Sequence, residues 1–517
     1  MGGILVLNFG GQYCHLIARR VRELGVRSEV LPAEASMDDI RKNAPRGIIL
    51  SGGPMGVYEK DAPKSDAEIL QLGIPVLGIC YGHQLMAQQT GGKVEKCKTK
   101  EYGANKIVLT EAGLKSNLFS GMGDVQKVWL SHGDHVAGLG RGFVATAKSG
   151  DGIVAGVEDA GRKLFGVQFH PEVVHTVNGK KMLENFVFKI CRAEKDWHPE
   201  KLEKQLEEEV KNAVGKAKVL MGVSGGVDST VAAAIIHRVA GKNLYCVFID
   251  HGLLRKGETQ QVREMFEKQL RFENFAVVDA SKEFLDALKG VTDPEEKRKI
   301  IGHKFIQVFE REAEKLAKKA GGIAFLGQGT IYPDRIESAQ PSKNAAKIKS
   351  HHNLTLPEKM NLRLVEPIKE LYKDEVRALG RKIGVSKEIL GRHPFPGPGL
   401  AVRIVGEVTD ERLKILREAD AIFIEELRKS GEYDRIWQAF AALLPVKTVG
   451  VMGDSRTYEY VIALRAVTSV DGMTADWARI PETVLERISN RIVNEVRGAN
   501  RVLYDITQKP PGTIEYE

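Results

Sequence analysis

Short apolar runs alternate with amphipathic stretches along the first 190 residues, and that alternation restarts after residue 216. "ILVLNF", "RGIILSGG", "IPVLGIC", "GIVAGVE" and "LFGVQFH" read as strands; "LIARRVRELG" and "KKMLENFVFKICRAE" read as helices. Strands interleaved with helices favour a largely parallel sheet covered on both faces, because the crossover helices occupy those faces. Around "AEKDWHPEKLEKQLEEEVKNAVGKA" the composition turns charged and the strand pattern vanishes, which marks a linker entering a helix. The sequence then runs through "AKVLMGV", "LYCVFID", "NFAVVD" and "GIAFLGQG" with helical patterns between, a second α/β domain. Residues 332–361 are polar, rich in Lys and His and weakly periodic, the texture of a lid. After "RHPFPGPGLAVRI" one long helical pattern, two strand-like runs and a further helix predict a smaller α+β domain. The expected architecture is therefore two successive doubly wound, mostly parallel α/β domains, 1–193 and 205–397, followed by a smaller α+β domain, 398–517.

Composition excludes several classes of function. No apolar run approaches the roughly 18 residues that span a bilayer, and the first residues read as a strand and not a signal peptide, so a cytoplasmic location is expected. Five cysteines, an odd number without C-x-x-C spacing, argue against a disulfide framework or a zinc site. The net charge of +8 is small for 517 residues and is spread along the chain, so no nucleic-acid partner is demanded. Anionic small ligands account for it equally well.

"PVLGICYGHQLMAQQTGG" places Cys80 between an apolar strand and a helix, with Gly78 and Gly82 on either side. This is the thiol form of a nucleophile elbow: a sharp turn exposes the side chain and the helix N-terminus favours its thiolate. "FGVQFHPEVVHT" supplies His170 as a base and, two residues on, Glu172 to hold the imidazole in one tautomer. "ILSGGPMGVY" adds Gly52 and Gly53, whose backbone can approach a reacting carbonyl. Cys14, Cys97, Cys191 and Cys246 read as core, and His15, His237 and His303 as ordinary satisfied residues. In this order "GGP", "GICYGHQ" and "HPE" resemble the class I glutamine amidotransferases over about the first 190 residues. The resemblance implies that Cys80 attacks the glutamine side-chain amide, that His170 and Glu172 complete a triad, and that Gly53 and the Tyr81 amide form the oxyanion hole. It also implies that Gln84 and the "SHGD" residues Ser131, His132, Gly133 and Asp134 hold the substrate glutamine.

"SGGVDS" interrupts "MGVSGGVDSTVAAAIIHR" between a strand and a helix, where successive backbone N–H groups and the helix dipole form a cradle for phosphate. The ending G-K-[ST] of a Walker A loop is missing. A cradle on the β and γ phosphates leaves the α-phosphate open to attack. Asp228 is placed to ligate Mg²⁺, and Ser224, Ser229 and Thr230 to bond phosphate oxygens, with the amides of Gly225, Gly226 and Val227 between them. Asp250 ends the following strand, at the sheet edge where nucleotides bind. "SGGVDS" resembles the PP-loop of ATP pyrophosphatases, which split ATP into AMP and pyrophosphate.

An ammonia source fused to an adenylylating domain suggests replacement of a carbonyl oxygen by nitrogen, with AMP as the leaving group. "GQGTIYPDRIES", "KSHHN", "RHPFPGPGLAVRI" and the terminal "DITQKPPGTIEYE" resemble the glutamine-hydrolysing GMP synthetases, and the likeness then spans essentially the whole chain. It implies xanthosine 5′-monophosphate (XMP) as acceptor, GMP as product, a ligase of purine biosynthesis using ATP and Mg²⁺, and a homodimer through the third domain. It further implies XMP contacts from Arg298, Gln438, Lys509, Thr513, Ile514 and Glu515, and a lid role for Lys349. One departure stands out: "HHNLTLPEKM" carries Thr355 where the family has a flexible glycine. Two rivals remain at this point. A transfer-RNA thiolating PP-loop enzyme needs a reactive cysteine near its ATP domain, and only Cys246, inside "LYCVFI", is present there. A degenerate scaffold would not retain Cys80, His170, Glu172 and "SGGVDS" together.

Overall fold

The structure is a computed structural model; it describes residues 2–339, 362–452, 455–469, 472, 474–509 and 511–517. The chain divides into two compact units, Met1–His198 and Pro199–Glu517.

The first unit is built on nine strands: β1 (Ile4–Asn8), β2 (Ser28–Pro32), β3 (Gly47–Leu50), β4 (Val76–Ile79), β5 (Lys93–Leu109), β6 (Val125–Gly138), β7 (Val144–Ser149), β8 (Val154–Asp159) and β9 (Leu164–Val167). They lie in the order β2-β1-β3-β4-β9-β8-β7-β5-β6. From β2 to β9 every pairing is parallel. β3, β4 and β9 are buried along their whole length, as short apolar strands must be when helices cover both faces. From β9 onward the pairings turn antiparallel, ending in the long β5–β6 hairpin. That extension is not apparent as strand in the sequence, because "KVEKCKTKEYGANKIVL" is mostly polar. The consequence for the site is positional: the loops after β3, β4 and β9 leave three adjacent parallel strands at their carboxyl ends, where α/β sheets collect their functional groups.

The second unit holds two sheets. β10 (Val219–Gly222), β11 (Leu244–Asp250), β12 (Phe275–Asp279), β13 (Phe325–Gly327) and β14 (Arg363–Val365) form an all-parallel sheet in the order β12-β11-β10-β13-β14. The chain winds outward from β10 to β12 and then crosses to β13 on the other side, so the β10–β13 boundary is the topological switch point. The loop after β10 is "SGGVDS". β15 (Gln438–Met452) and β16 (Ser455–Thr468) form an antiparallel ribbon; β17 (Asp476–Trp477) and β18 (Ala499–Asp505) pair with β16, β18 in parallel. One continuous apolar core runs from Leu220 and Val247 of the parallel sheet through Leu413 and Phe423 of the helix Asp410–Lys429 to Ile462 and Ala499 of the second sheet. The second and third expected regions thus share a core. Among the described residues, no helix is long and apolar enough to cross a membrane.

Candidate active sites

Cys80 is the residue between β4 and the helix Tyr81–Gln89, and its backbone sits at φ 51°, ψ −105°. A non-glycine residue in this region stores strain that the surroundings must hold. They do so with backbone bonds: Cys80 N donates to Val167 O at 2.8 Å and Gly82 N donates to Ser51 O at 3.0 Å. Residue 82 must be glycine, because a Cβ there would lie 2.3 Å from Leu50 O. His170 follows β9, and its N–H donates to Trp129 O at 3.0 Å. Its Nδ1 lies 2.6 Å from Glu172 Oε1, so Nδ1 carries the proton and Nε2 faces the thiol side. Thr176 Oγ1 donates to His170 O at 2.6 Å, and Arg20 Nε donates to Glu172 O at 2.9 Å. The Tyr13 ring meets the imidazole edge-on at 5.0 Å.

Burial is the largest single influence on the His170 imidazole and pushes its pKa down, but the Glu172 carboxylate and the Cys80 sulfur together raise it above the ordinary value. The charged form of the imidazole is thereby favoured. The loop after β3 passes over this pair: a Cβ on Gly52 would lie 3.1 Å from His170 Cε1 and 3.8 Å from Cys80 Cβ. Gly53 is equally close-packed, with the Tyr81 ring 3.1 Å from where its Cβ would stand.

The "SHGD" residues lie on β6. Ser131 O is 3.8 Å from Cys80 Sγ, and Asp134 O accepts from Gln84 Nε2 at 2.8 Å. Asp134 Oδ1 accepts from Tyr58 OH at 2.9 Å. Gly133 falls at the irregularity between the Lys96–Asp134 and Glu101–His132 pairs of the hairpin. His132 is buried with Nε2 at 3.1 Å from Glu101 Oε2, and burial above all pushes its pKa down to about 4. Cys97, expected in the core, is instead partly exposed: its Sγ is 3.5 Å from His135 Nδ1 and 3.8 Å from His132 Nδ1. The apolar strand pattern that would bury it ends at Val94, and the hairpin leaves residue 97 at its irregular stretch. The other three, Cys14, Cys191 and Cys246, are buried as expected.

Sequence reasoning missed Gln168. It is fully buried at the end of β9, with Nε2 3.7 Å from Cys80 Sγ and Oε1 accepting from Gln84 Nε2 at 3.1 Å. The signal was present: a polar amide inside the apolar run "LFGVQF" needs a partner.

In the second unit, Gly226 caps the helix Val227–Ala240 and Gly225 has φ 71°. Ser224 Oγ and Ser229 Oγ are 3.1 Å apart, and Ser224 N donates to Ser229 Oγ at 3.2 Å, so the two hydroxyls close the loop on itself. Thr230 is buried and its Oγ1 donates to Gly226 O at 2.7 Å, which shapes the cradle from behind. Asp228 Oδ2 pairs with Lys373, the first residue of the helix Lys373–Lys382, while Oδ1 is buried without a hydrogen-bond partner among the described residues. Asp250, at the end of β11, accepts from Gly252 N at 2.9 Å and from Thr259 Oγ1 at 2.6 Å. Gly329, after β13, approaches the loop so closely that a Cβ there would stand 2.9 Å from Ser229 N. Arg392, of "RHPFPGPG", donates to Gly225 O and to Gln261 Oε1, each at 3.0 Å. Neither Lys373 nor Arg392 was singled out in the sequence, since each reaches the loop from more than 140 residues away. Lys349 lies outside the described residues.

The chain's last residues are ordered by specific bonds. Ile514 is buried among Phe440, Ala442, Ala463 and Val467. Glu515 accepts from the buried Arg403 through two bonds, 3.1 and 3.0 Å, and from Gln438 Nε2 at 2.6 Å. Arg465, also buried, donates to Thr513 O at 2.9 Å and to Ile514 O at 3.3 Å. Gln438, Thr513, Ile514 and Glu515 therefore form one cluster. The Lys509 side chain donates to Gly472 O at 2.8 Å, and Arg298 donates to the main-chain oxygen of Glu517. Arg403 and Arg465 were not anticipated.

A strained thiol elbow with a His–Glu pair, on the parallel part of one sheet, and a phosphate cradle at the switch point of another, define an amidotransferase joined to an ATP-cleaving synthetase domain. Residues 5–190 match the family Glutamine amidotransferase class-I, residues 199–300 match NAD synthase, and residues 425–516 match GMP synthase C terminal domain. GMP synthase [glutamine-hydrolyzing] of Aquifex aeolicus is 56% identical over 517 residues, covering 99% of this chain and 99% of that protein. The proteins of the same name from Carboxydothermus hydrogenoformans and Clostridium kluyveri are 55% and 54% identical, each again over 99% of both chains. The chain belongs to the family of glutamine-hydrolysing GMP synthases.

Proposed function

We propose that this chain converts XMP to GMP with glutamine as nitrogen donor and ATP as activator, through the residues described above. The observation that carries the reading is an intact Cys80–His170–Glu172 triad in one chain with an intact "SGGVDS" cradle. In the first unit His170 holds the proton of Cys80, and the sulfur electron pair attacks the amide carbon of glutamine. The amides of Gly53 and Tyr81 receive the oxyanion, the C–N bond breaks, and ammonia leaves with the proton from His170. Water, deprotonated by His170, then cleaves the thioester to release glutamate. Gln84 and Ser131, His132, Gly133 and Asp134 hold the substrate; both Gln84 Nε2 protons are committed, so its Oε1 is the atom left for the substrate ammonium.

In the second unit the amides of Gly225, Gly226 and Val227, with Ser224 and Ser229, hold the pyrophosphate end of ATP. The XMP oxygen attacks the α-phosphorus, pyrophosphate departs, and ammonia then displaces AMP. Asp228 fits Mg²⁺: Oδ1 is a buried hard oxygen with no partner among the described residues. When bound, Mg²⁺ supplies charge neutralisation to the departing pyrophosphate. Asp250 shapes the nucleotide-facing turn, and Gln438, Thr513, Ile514 and Glu515, with Arg298 and Lys509, receive XMP. We take the functional regions as 1–193, 205–397 and 398–517, the last two lying together in the unit Pro199–Glu517. The enzyme is cytoplasmic, and it is a homodimer through its last sheet, where Val446, Val449, Val451, Tyr458, Leu503 and Ile506 are exposed.

The test is one kinetic comparison. With ATP, Mg²⁺ and XMP, Cys80→Ala should lose GMP formation from glutamine and keep it from ammonium salts, and Asp228→Ala should lose both. Loss of both activities in folded Cys80→Ala would refute the separation of the two sites.

A further inference from the structure

The Cys80 sulfur has a second polar neighbour besides the His170 imidazole. Gln168 Nε2 lies 3.7 Å from Sγ, within reach of an N–H···S bond, and the side chain has no exposure to water. The orientation of its amide is fixed by its neighbours. Asp134 O can only accept, so the Gln84 group facing it at 2.8 Å is the NH₂. That same NH₂ faces Gln168 at 3.1 Å, so Gln168 presents its oxygen there and its own NH₂ to the sulfur. A neutral thiol has a different use for its surroundings: its proton points to Ser131 O at 3.8 Å.

We propose that Gln168 is a further catalytic residue of the glutaminase site, donating to the Cys80 sulfur whenever that sulfur carries the negative charge, and tying it to the substrate-holding Gln84. The inference rests on the reading of Cys80 as nucleophile. The sulfur is anionic at two moments. Before attack, its electron pair is about to form the C–S bond. In deacylation, water adds to the thioester carbonyl, the C–S bond breaks, and the pair returns to sulfur while His170 keeps the proton taken from water. A buried N–H donor favours both moments over the neutral thioester between them, because hydrogen bonds to charged acceptors are the stronger kind. The backbone N–H of Cys80 itself cannot take this part, since it is committed to Val167 O. The link through Gln84 to Asp134 means that the segment gripping the substrate also sets the donor's position.

The test uses the full-length enzyme and follows iodoacetamide alkylation of Cys80 against pH by peptide mass spectrometry. The other thiols do not compete: burial raises those of Cys14, Cys191 and Cys246, and Cys97 is raised to about 11, also chiefly by burial. His170, which interacts with Glu172 and the Cys80 sulfur, and His132, which interacts with His170, are retained in every variant. Gln168→Met keeps the length and removes the donor. The alkylation midpoint should rise by about one pH unit, a tenfold loss of thiolate. Glutamine-dependent GMP formation should fall roughly 10- to 100-fold with ammonium-dependent formation unchanged. Gln168→Glu keeps an acceptor for Gln84 and sets a carboxylate against the sulfur, so its midpoint should rise further. A midpoint unmoved in both variants, whatever their rates, overturns the proposal, because a packing role would change rates without changing the thiol. Cys80→Ala that still hydrolyses glutamine would instead overturn the underlying reading.

Discussion

Gly82→Ala is a one-methyl test of the elbow. The added Cβ would stand 2.3 Å from Leu50 O and 2.5 Å from Leu50 Cβ, against an ordinary contact of 3.4 Å or more. Both atoms belong to β3, a fully buried central strand that cannot retreat, so the helix Tyr81–Gln89 must back away by about 1 Å. Overpacking of this kind costs roughly 1–3 kcal/mol, which lowers the melting temperature of a unit this size by about 2–10 °C. The activity loss should be larger. The same shift carries Cys80 and the Tyr81 amide away from His170 and the Gly53 amide, and a displacement near 1 Å costs on the order of 10²-fold. The assay is GMP formation with glutamine against GMP formation with ammonium, alongside a melting curve. The glutamine rate should drop about a hundredfold and the ammonium rate should hold. A glutamine rate within twofold of wild type would refute the argument that the β3–helix contact sets the nucleophile's position.

Stability should depend on pH through the buried neutral imidazoles. His132, His251 and His393 all have pKa values pushed down to about 4, mainly by burial, so the unfolded chain binds more protons between about pH 6.5 and 4. Each should remove about 2 kcal/mol between pH 7 and 5; His170, raised, opposes them, and a melting temperature that stays flat or rises over this window would contradict the assignment. Glu515→Gln leaves the buried Arg403 guanidinium without its anion and removes the carboxylate proposed to meet the XMP base. The XMP KM should rise at least about tenfold with glutamine hydrolysis unchanged, and an unaltered KM would exclude Glu515 from the XMP site. Tyr458→Glu and Val451→Asp should shift sedimentation from dimer to monomer, since each sets a charge among exposed apolar side chains; a monomeric wild type would remove that prediction.

Much of both sites was legible because strand–loop–helix motifs are local. The glycines around Cys80, the spacing of His170 and Glu172, and the run "SGGVDS" state their backbone requirements within a few residues. What surrounds them was not. Gln168 and Gln84 are 84 residues apart, and they meet because β9 lies beside β4. Lys373 reaches Asp228 across 145 residues, and Arg403 reaches Glu515 across 112. Strand β5 was invisible for a related reason: "KVEKCKTKEYGANKIVL" is mostly polar, so the apolar alternation that marks a strand is missing over most of its length.

By itself, then, the sequence determined the α/β class, the backbone turns that carry the proposed nucleophile, base and phosphate cradle, and their order along the chain. The tertiary structure alone decided which distant polar side chains steady those groups. A turn's conformation is set by its own few residues, whereas a buried partner is chosen by strand order and packing, which no short stretch of chain encodes.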